Sequence, residues 1–129
     1  MEPNCIVLDS GALAQEETAV RRFLERAVER YVPVVVPAVV LAECAMGTPK
    51  DASLYRALKP LDIIATDERI AIAASALRHA LRLSREATID AIVVATADSS
   101  IGSVVLTNDL GDLRALAGVR GRTRVEPAS

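Results

Sequence analysis

Apolar residues along this chain fall into two kinds of segment: short unbroken runs, and longer stretches in which they recur every three or four positions. Cys5 to Leu8 is a short run ending in Asp9-Ser10-Gly11, which reads as a buried strand entering a turn. From Glu16 to Arg30, Ala19, Val20, Phe23, Leu24, Ala27 and Val28 recur at helical spacing, with charged residues between them. Val34 to Val36, set between two prolines, predicts a second strand, and Pro37 suits the first turn of a helix reaching about Met46. Gly47, Thr48 and Pro49 stop that helix. Asp51 to Leu58 is a weaker helical stretch, and the β-branched pair in Leu61 to Ala65 suggests a third strand. Thr66 or Asp67 can cap the next helix, whose stripe runs Ile70, Ala73, Ala74, Leu77, Ala80 and Leu81. A break near Ser84 precedes a helix from Ile89 to about Asp98, for which Thr88 is the expected cap. Ser103 to Leu106 predicts a fourth strand, Leu110 to Ala117 a short helix, and Thr123 to Glu126 a last, edge strand.

Strands alternating with helices predict an α/β fold, and 129 residues suit one domain, 1–129, with one core. Hydrophobic residues are 51% of the chain and aromatics 2%, so that core must be built from Val, Leu, Ile and Ala, which suits buried parallel strands. The longest apolar run, Tyr31 to Ala42, is broken by two prolines and falls short of the roughly 20 residues that span a bilayer. With no basic patch or cleavage-like site near Met1, no membrane segment and a cytoplasmic address are expected. Cys5 and Cys44 fit no metal-ligand spacing and read as small packing residues. Fifteen basic against seventeen acidic side chains give a charge of −2, which argues against gripping nucleic acid by bulk charge, although a compact acidic cluster can mask a basic patch elsewhere.

In an open α/β sheet the ligand crevice lies beyond the carboxyl ends of the strands. Asp9 ends the first strand, Asp109 follows the fourth, and Asp90 lies in the first turn of a helix, where the dipole favours a carboxylate. Glu43 sits within an apolar helical run, where burying a carboxylate is costly unless something pairs with it. Converging acids repel one another and raise their pKa values, whereas a divalent cation keeps them ionised. Oxygen-only ligands favour magnesium or manganese over zinc, and such a metal supports phosphodiester hydrolysis. Each acid also has a simple structural reading as a cap, a turn former or an exposed helical residue.

Four segments carry a family resemblance: Val7-Leu8-Asp9-Ser10-Gly11-Ala12-Leu13, Val40-Leu41-Ala42-Glu43, Ile89-Asp90-Ala91-Ile92-Val93-Val94-Ala95 and Leu106-Thr107-Asn108-Asp109-Leu110-Gly111-Asp112-Leu113. In order and spacing they resemble the successive motifs of PIN-domain proteins, and most closely those of VapC-like toxins of bacterial and archaeal toxin–antitoxin pairs. The resemblance implies a three-layer α/β/α fold around a mostly parallel sheet of about five strands. It further implies magnesium- or manganese-dependent endoribonuclease activity, homodimerisation, and silencing by a VapB-like antitoxin. By position, Asp9, Glu43 and Asp90 match the family's metal-binding acids and Asp109 the fourth acid. Asp112 is a further candidate for the metal, and Thr107 a hydrogen-bonding neighbour that orients these groups.

Other residues weigh less. Asp67 and Glu68 open a helix, Asp98 ends a helical face, and His79 has no catalytic companion. Arg21, Arg22, Arg26 and Arg30 read first as a solvated face, while Arg120, Arg122 and Arg124 alternate and so are candidates for phosphate contacts. Only Phe23, Tyr31 and Tyr55 could stack on bases, so RNA recognition would rest on phosphate contacts and shape. A phospho-acceptor domain would want a lysine near the last strands, a haloacid-dehalogenase-like phosphatase an aspartate at position 11, and a dinucleotide-binding domain a glycine-rich loop after the first strand. The remaining non-enzyme alternative is a catalytically inactive PIN-like module that binds RNA or protein.

Overall fold

The computed structural model describes residues 2–13 and 18–128. Its strands are β1 (Cys5–Leu8), β2 (Val34–Pro37), β3 (Asp62–Ile64), β4 (Ser103–Thr107) and β5 (Thr123–Pro127). The helices among the described residues are α1 (Ser10–Leu13), α2 (Thr18–Glu29), α3 (Ala38–Cys44), α4 (Ala52–Leu58), α5 (Glu68–Ala80), α6 (Thr88–Asp98) and α7 (Gly111–Arg120). The strands form one sheet in the order β3-β2-β1-β4-β5, and every neighbouring pair is parallel.

The three-layer α/β/α arrangement expected from the sequence is therefore present, with an entirely parallel sheet of five strands. Parallel strands need crossovers, so helices cover the faces of the sheet and its central strands carry unbroken apolar sequence. Val7, Val36, Val40, Val93, Val94 and Val105 are fully buried. Burial of a side chain of this size contributes roughly 1.5–3 kcal/mol. Helix α6 is enclosed from Ala91 through Asp98, packed against the sheet and against α5 and α7, which explains why its sequence lacks a polar face.

Several local expectations shift. Helix α3 ends at Cys44 rather than Met46, and Pro37 closes β2 instead of opening the helix's first turn. Thr88 does not cap α6: it is the first helical residue, and its hydroxyl donates to the Arg85 carbonyl at 2.6 Å. Asp67 does cap α5, accepting from the Ile70 N–H at 2.9 Å. The expected start of α2 at Glu16 lies outside the described residues, as do the side chains of Ala19, Val20, Arg21 and Phe23. Of that stripe, Ala27 is buried, Leu24 half-buried and Val28 exposed. No helix among the described residues is long and apolar enough to cross a membrane.

Two buried aspartates away from the predicted site have opposite surroundings. Asp98, at the end of α6, accepts the Thr123 hydroxyl through Oδ1 at 2.8 Å, while its buried Oδ2 has no partner. Burial pushes its carboxyl up, partly offset by Thr123, Arg120 and Arg122. Asp51 accepts the Met46 N–H at 3.0 Å and the Gly47 N–H at 2.8 Å, so hydrogen bonds to the ionised form hold its carboxyl below the ordinary value. A carboxyl depressed on folding contributes stability above its unfolded pKa of about 3.9, and that contribution is lost as the pH falls through the folded value. Asp51→Asn should therefore lower the melting temperature at pH 7, and thermal melts should show the gap closing at acidic pH, below about 3.9.

Candidate active site

The register of the sheet determines which side chains meet. Leu8 of β1 pairs with Leu106 of β4, so the next residues, Asp9 and Thr107, emerge side by side at the carboxyl edge. The Asp9 N–H extends the ladder to the Leu106 carbonyl at 3.2 Å. Thr107 donates its hydroxyl proton to Asp9 Oδ2 at 2.6 Å and accepts the Asp109 N–H on the same oxygen at 2.9 Å. Asp9 Oδ1 accepts the Ala12 N–H at 3.2 Å, capping α1. Asp9, whose structural reading is a turn former, thus caps a short helix with one oxygen, and the other is oriented by a residue 98 positions away.

Topology brings the other acids to the same edge. Helix α3 leaves the carboxyl end of β2 with Glu43 in its last turn. Helix α6 descends toward the start of β4, so its first turn, with Asp90, lies at the carboxyl edge. Asp109 follows β4, its Oδ1 accepting the Gly111 N–H at 3.2 Å, and Asp112 opens α7. Glu43 is exposed rather than buried within its apolar run, so the desolvation expected for it does not arise. Asp109 and Asp112 are also exposed, whereas Asp9 is only 7% exposed and Asp90 is half-buried.

Electrostatics tie these acids together. Burial pushes the Asp9 carboxyl up, against the lowering effect of its bonds from Thr107, Ala12 and Gly11, and Glu43 pushes it further. Asp90 is raised by burial first, then by the charges of Asp9, Asp109, Asp112 and Glu43. Each group acting on Asp90 through its charge is another acid. Among the described residues, no three Asp, Glu, His or Cys side chains are drawn tightly enough together to form a closed ligand set. The cluster is open, and its donors are carboxylate oxygens, the set that suits magnesium or manganese. Cys44 stands beside it, its thiol pushed up by burial and by Glu43 and Asp9.

Other candidates lie elsewhere. Arg120 and Arg122 precede β5 beside Asp98, at the amino end of the sheet and away from the acids. Tyr31 is exposed at the same amino end, just before β2. His79 is exposed near the end of α5. Sequence reasoning missed the approach of the β4–α7 loop to α1, where Asn108 Nδ2 donates to the Gly11 carbonyl at 3.2 Å. Its only local signal is a glycine two residues after Asp9.

A raised carboxyl pKa destabilises the fold: the ionised form is disfavoured on folding, and the penalty grows as pH rises above the unfolded value of about 3.9. Asp90→Asn should therefore raise the melting temperature at pH 7 without divalent cations. Melts in chelator should show that gain vanishing at acidic pH.

Comparison with known proteins agrees with this geometry. No curated relative matches the chain. Its fold is similar to VapBC2 from Rickettsia felis bound to a promoter DNA fragment, with a TM-score of 0.75 and 15% identity over 95% of this chain and 98% of that one. It is also similar to DNA-bound VapBC from Salmonella typhimurium, with a TM-score of 0.67 and 21% identity over 96% and 98%. A toxin–antitoxin complex from Klebsiella pneumoniae matches with a TM-score of 0.65 and 26% identity over 96% and 98%. The family model described as PIN domain matches residues 6–119, which span the segments bearing Asp9, Glu43, Asp90 and Asp109, and the chain belongs to the PIN domain family.

Proposed function

We propose that this chain is a magnesium- or manganese-dependent endoribonuclease, the toxin of a VapBC-type pair, working as a homodimer silenced by a VapB-like antitoxin. The observation that carries the reading is the pairing of two desolvated carboxylates, Asp9 and Asp90, with further acids and no basic residue among the groups that shift them. Such a cluster is destabilising unless a cation offsets it. The similarity to structures described as VapBC and toxin–antitoxin complexes supports the choice of partner.

Asp9, Glu43, Asp90 and Asp109 would hold the cation, with Asp112 close enough to assist. When bound, a divalent cation lowers the pKa of water and offsets charge on a phosphoryl oxygen. The chain's own contribution is orientation. Thr107 fixes one Asp9 oxygen and leaves a lone pair free on it, since a carboxylate oxygen accepts at about two sites and the hydroxyl uses one. Asp90 rides on the most enclosed helix of the fold, so its carboxylate is presented from a rigid support.

The test is RNA cleavage by purified protein with magnesium or manganese, with a chelator control. Asp9→Asn and Asp90→Asn should each reduce cleavage by about 10²-fold or more, the scale on which a lost electrostatic stabiliser acts. Folded wild type that cuts no RNA across varied substrates would refute the enzymatic reading. An antitoxin that places an Arg against the acids should compete with the metal, so added partner should suppress cleavage; a bound partner that leaves the rate unchanged would refute that mode of silencing.

A further inference from the structure

The β4–α7 loop touches α1 at a place where neither motif predicts a contact. The Asn108 side chain donates to the Gly11 carbonyl at 3.2 Å, across 97 positions of sequence. A Cβ at Gly11 would lie 3.1 Å from the Asn108 backbone nitrogen, 3.3 Å from its Cβ and 3.4 Å from Asp9 Oδ1. The loop therefore approaches α1 as closely as it does only because position 11 has no side chain. On one side of Asn108 is Thr107, which orients Asp9; on the other is Asp109. On one side of Gly11 is Ser10, next to Asp9; on the other is Ala12, whose N–H donates to the Asp9 carboxylate.

We infer that Asn108 and Gly11 form a brace that fixes the spacing of Asp9 and Asp109, and through it the affinity of the site for a divalent cation. They are positioning residues: neither would touch metal or substrate. The brace rests on the reading of the acids as a metal site. Asn108 is exposed, and its bond lies outside the core, so its loss leaves the fold standing while loosening the two acids relative to each other. A side chain at position 11 acts from the opposite direction. The Asn108 backbone must yield by a few tenths of an ångström, moving Thr107 and Asp109 with it.

Two measurements on the full chain separate this inference from the functional reading. In metal-free hydrogen exchange, Asn108→Ala and Gly11→Ala should speed exchange at the Asp109 and Ala12 N–H groups by about 10-fold, while Val105 in β4 keeps wild-type protection. In calorimetric titration with manganese alone, both variants should bind about 10-fold more weakly, as on loss of groups that orient metal ligands. Unchanged exchange at Asp109 and Ala12 overturns the brace. Faster exchange with unchanged manganese affinity overturns its link to the metal, and equal loss of protection at Val105 reduces it to a general structural role. A wild type that binds no manganese, with the exchange effect intact, overturns the metal reading and the brace's role in it, leaving only an ordered loop.

Discussion

The parallel pairing of β1 with β4 is the constraint on which the rest of this molecule depends. It runs in register from Cys5 against Ser103 to Leu8 against Leu106, and every pair in it is apolar or small. Because side chains alternate across a sheet, a one-residue slip would turn each buried valine to the opposite face, so the packing of both helical layers locks the register. The Asp9–Thr107 contact is that register carried one step past the end of the ladder. With β2 on one flank of β1 and β4 on the other, the order in which strands are added reverses at β1, and the crevice of an open sheet lies at such a point.

Three buried aspartates illustrate how differently one fold treats a carboxylate. Asp51 receives backbone N–H groups from the loop after α3, so ionisation supports the fold. Asp98 has one satisfied oxygen and one orphan, with two exposed arginines nearby as partial compensation. Asp9 is hydrogen-bonded on both oxygens and is nevertheless pushed up by burial, with Glu43 adding to it. Asp51 and Asp9 are both buried and hydrogen-bonded; at Asp51 the backbone N–H donors prevail, whereas at Asp9 desolvation prevails and the Glu43 charge adds to it. That difference separates a carboxylate whose ionisation supports the fold from one whose ionisation costs it.

Legibility in the sequence followed the range of the interactions involved. The apolar runs of β1, β2 and β4 announced buried parallel strands because no polar residue interrupts them, and the acids were placed by their position after strands or at a helix start. Helix α1, four residues long, is too short to show a period and read as a turn. Thr88 has the side chain of a cap but sits after a 3-10 turn, so Ala87 occupies the cap position without a side-chain bond. The alternation of Arg120, Arg122 and Arg124 suggested a shared face, but the first two precede β5, at the amino end of the sheet and away from the acids. The contact of Asn108 with Gly11 depends on two segments 97 residues apart, beyond any local pattern.

The same long separation has a consequence for how the protein is made. Strand β1 is synthesised well before its sheet neighbour β4. At about 5–20 residues per second, Asp9 precedes Asp109 by roughly 5–20 s. Throughout that interval the nascent chain holds β1 with one flank unpaired and Asp9 without the hydroxyl that orients it. The acidic centre therefore stays incomplete until β4 and the residues just after it are made, and a translation product truncated before β4 has the residues of α1 to α6 but lacks Thr107, Asp109 and α7.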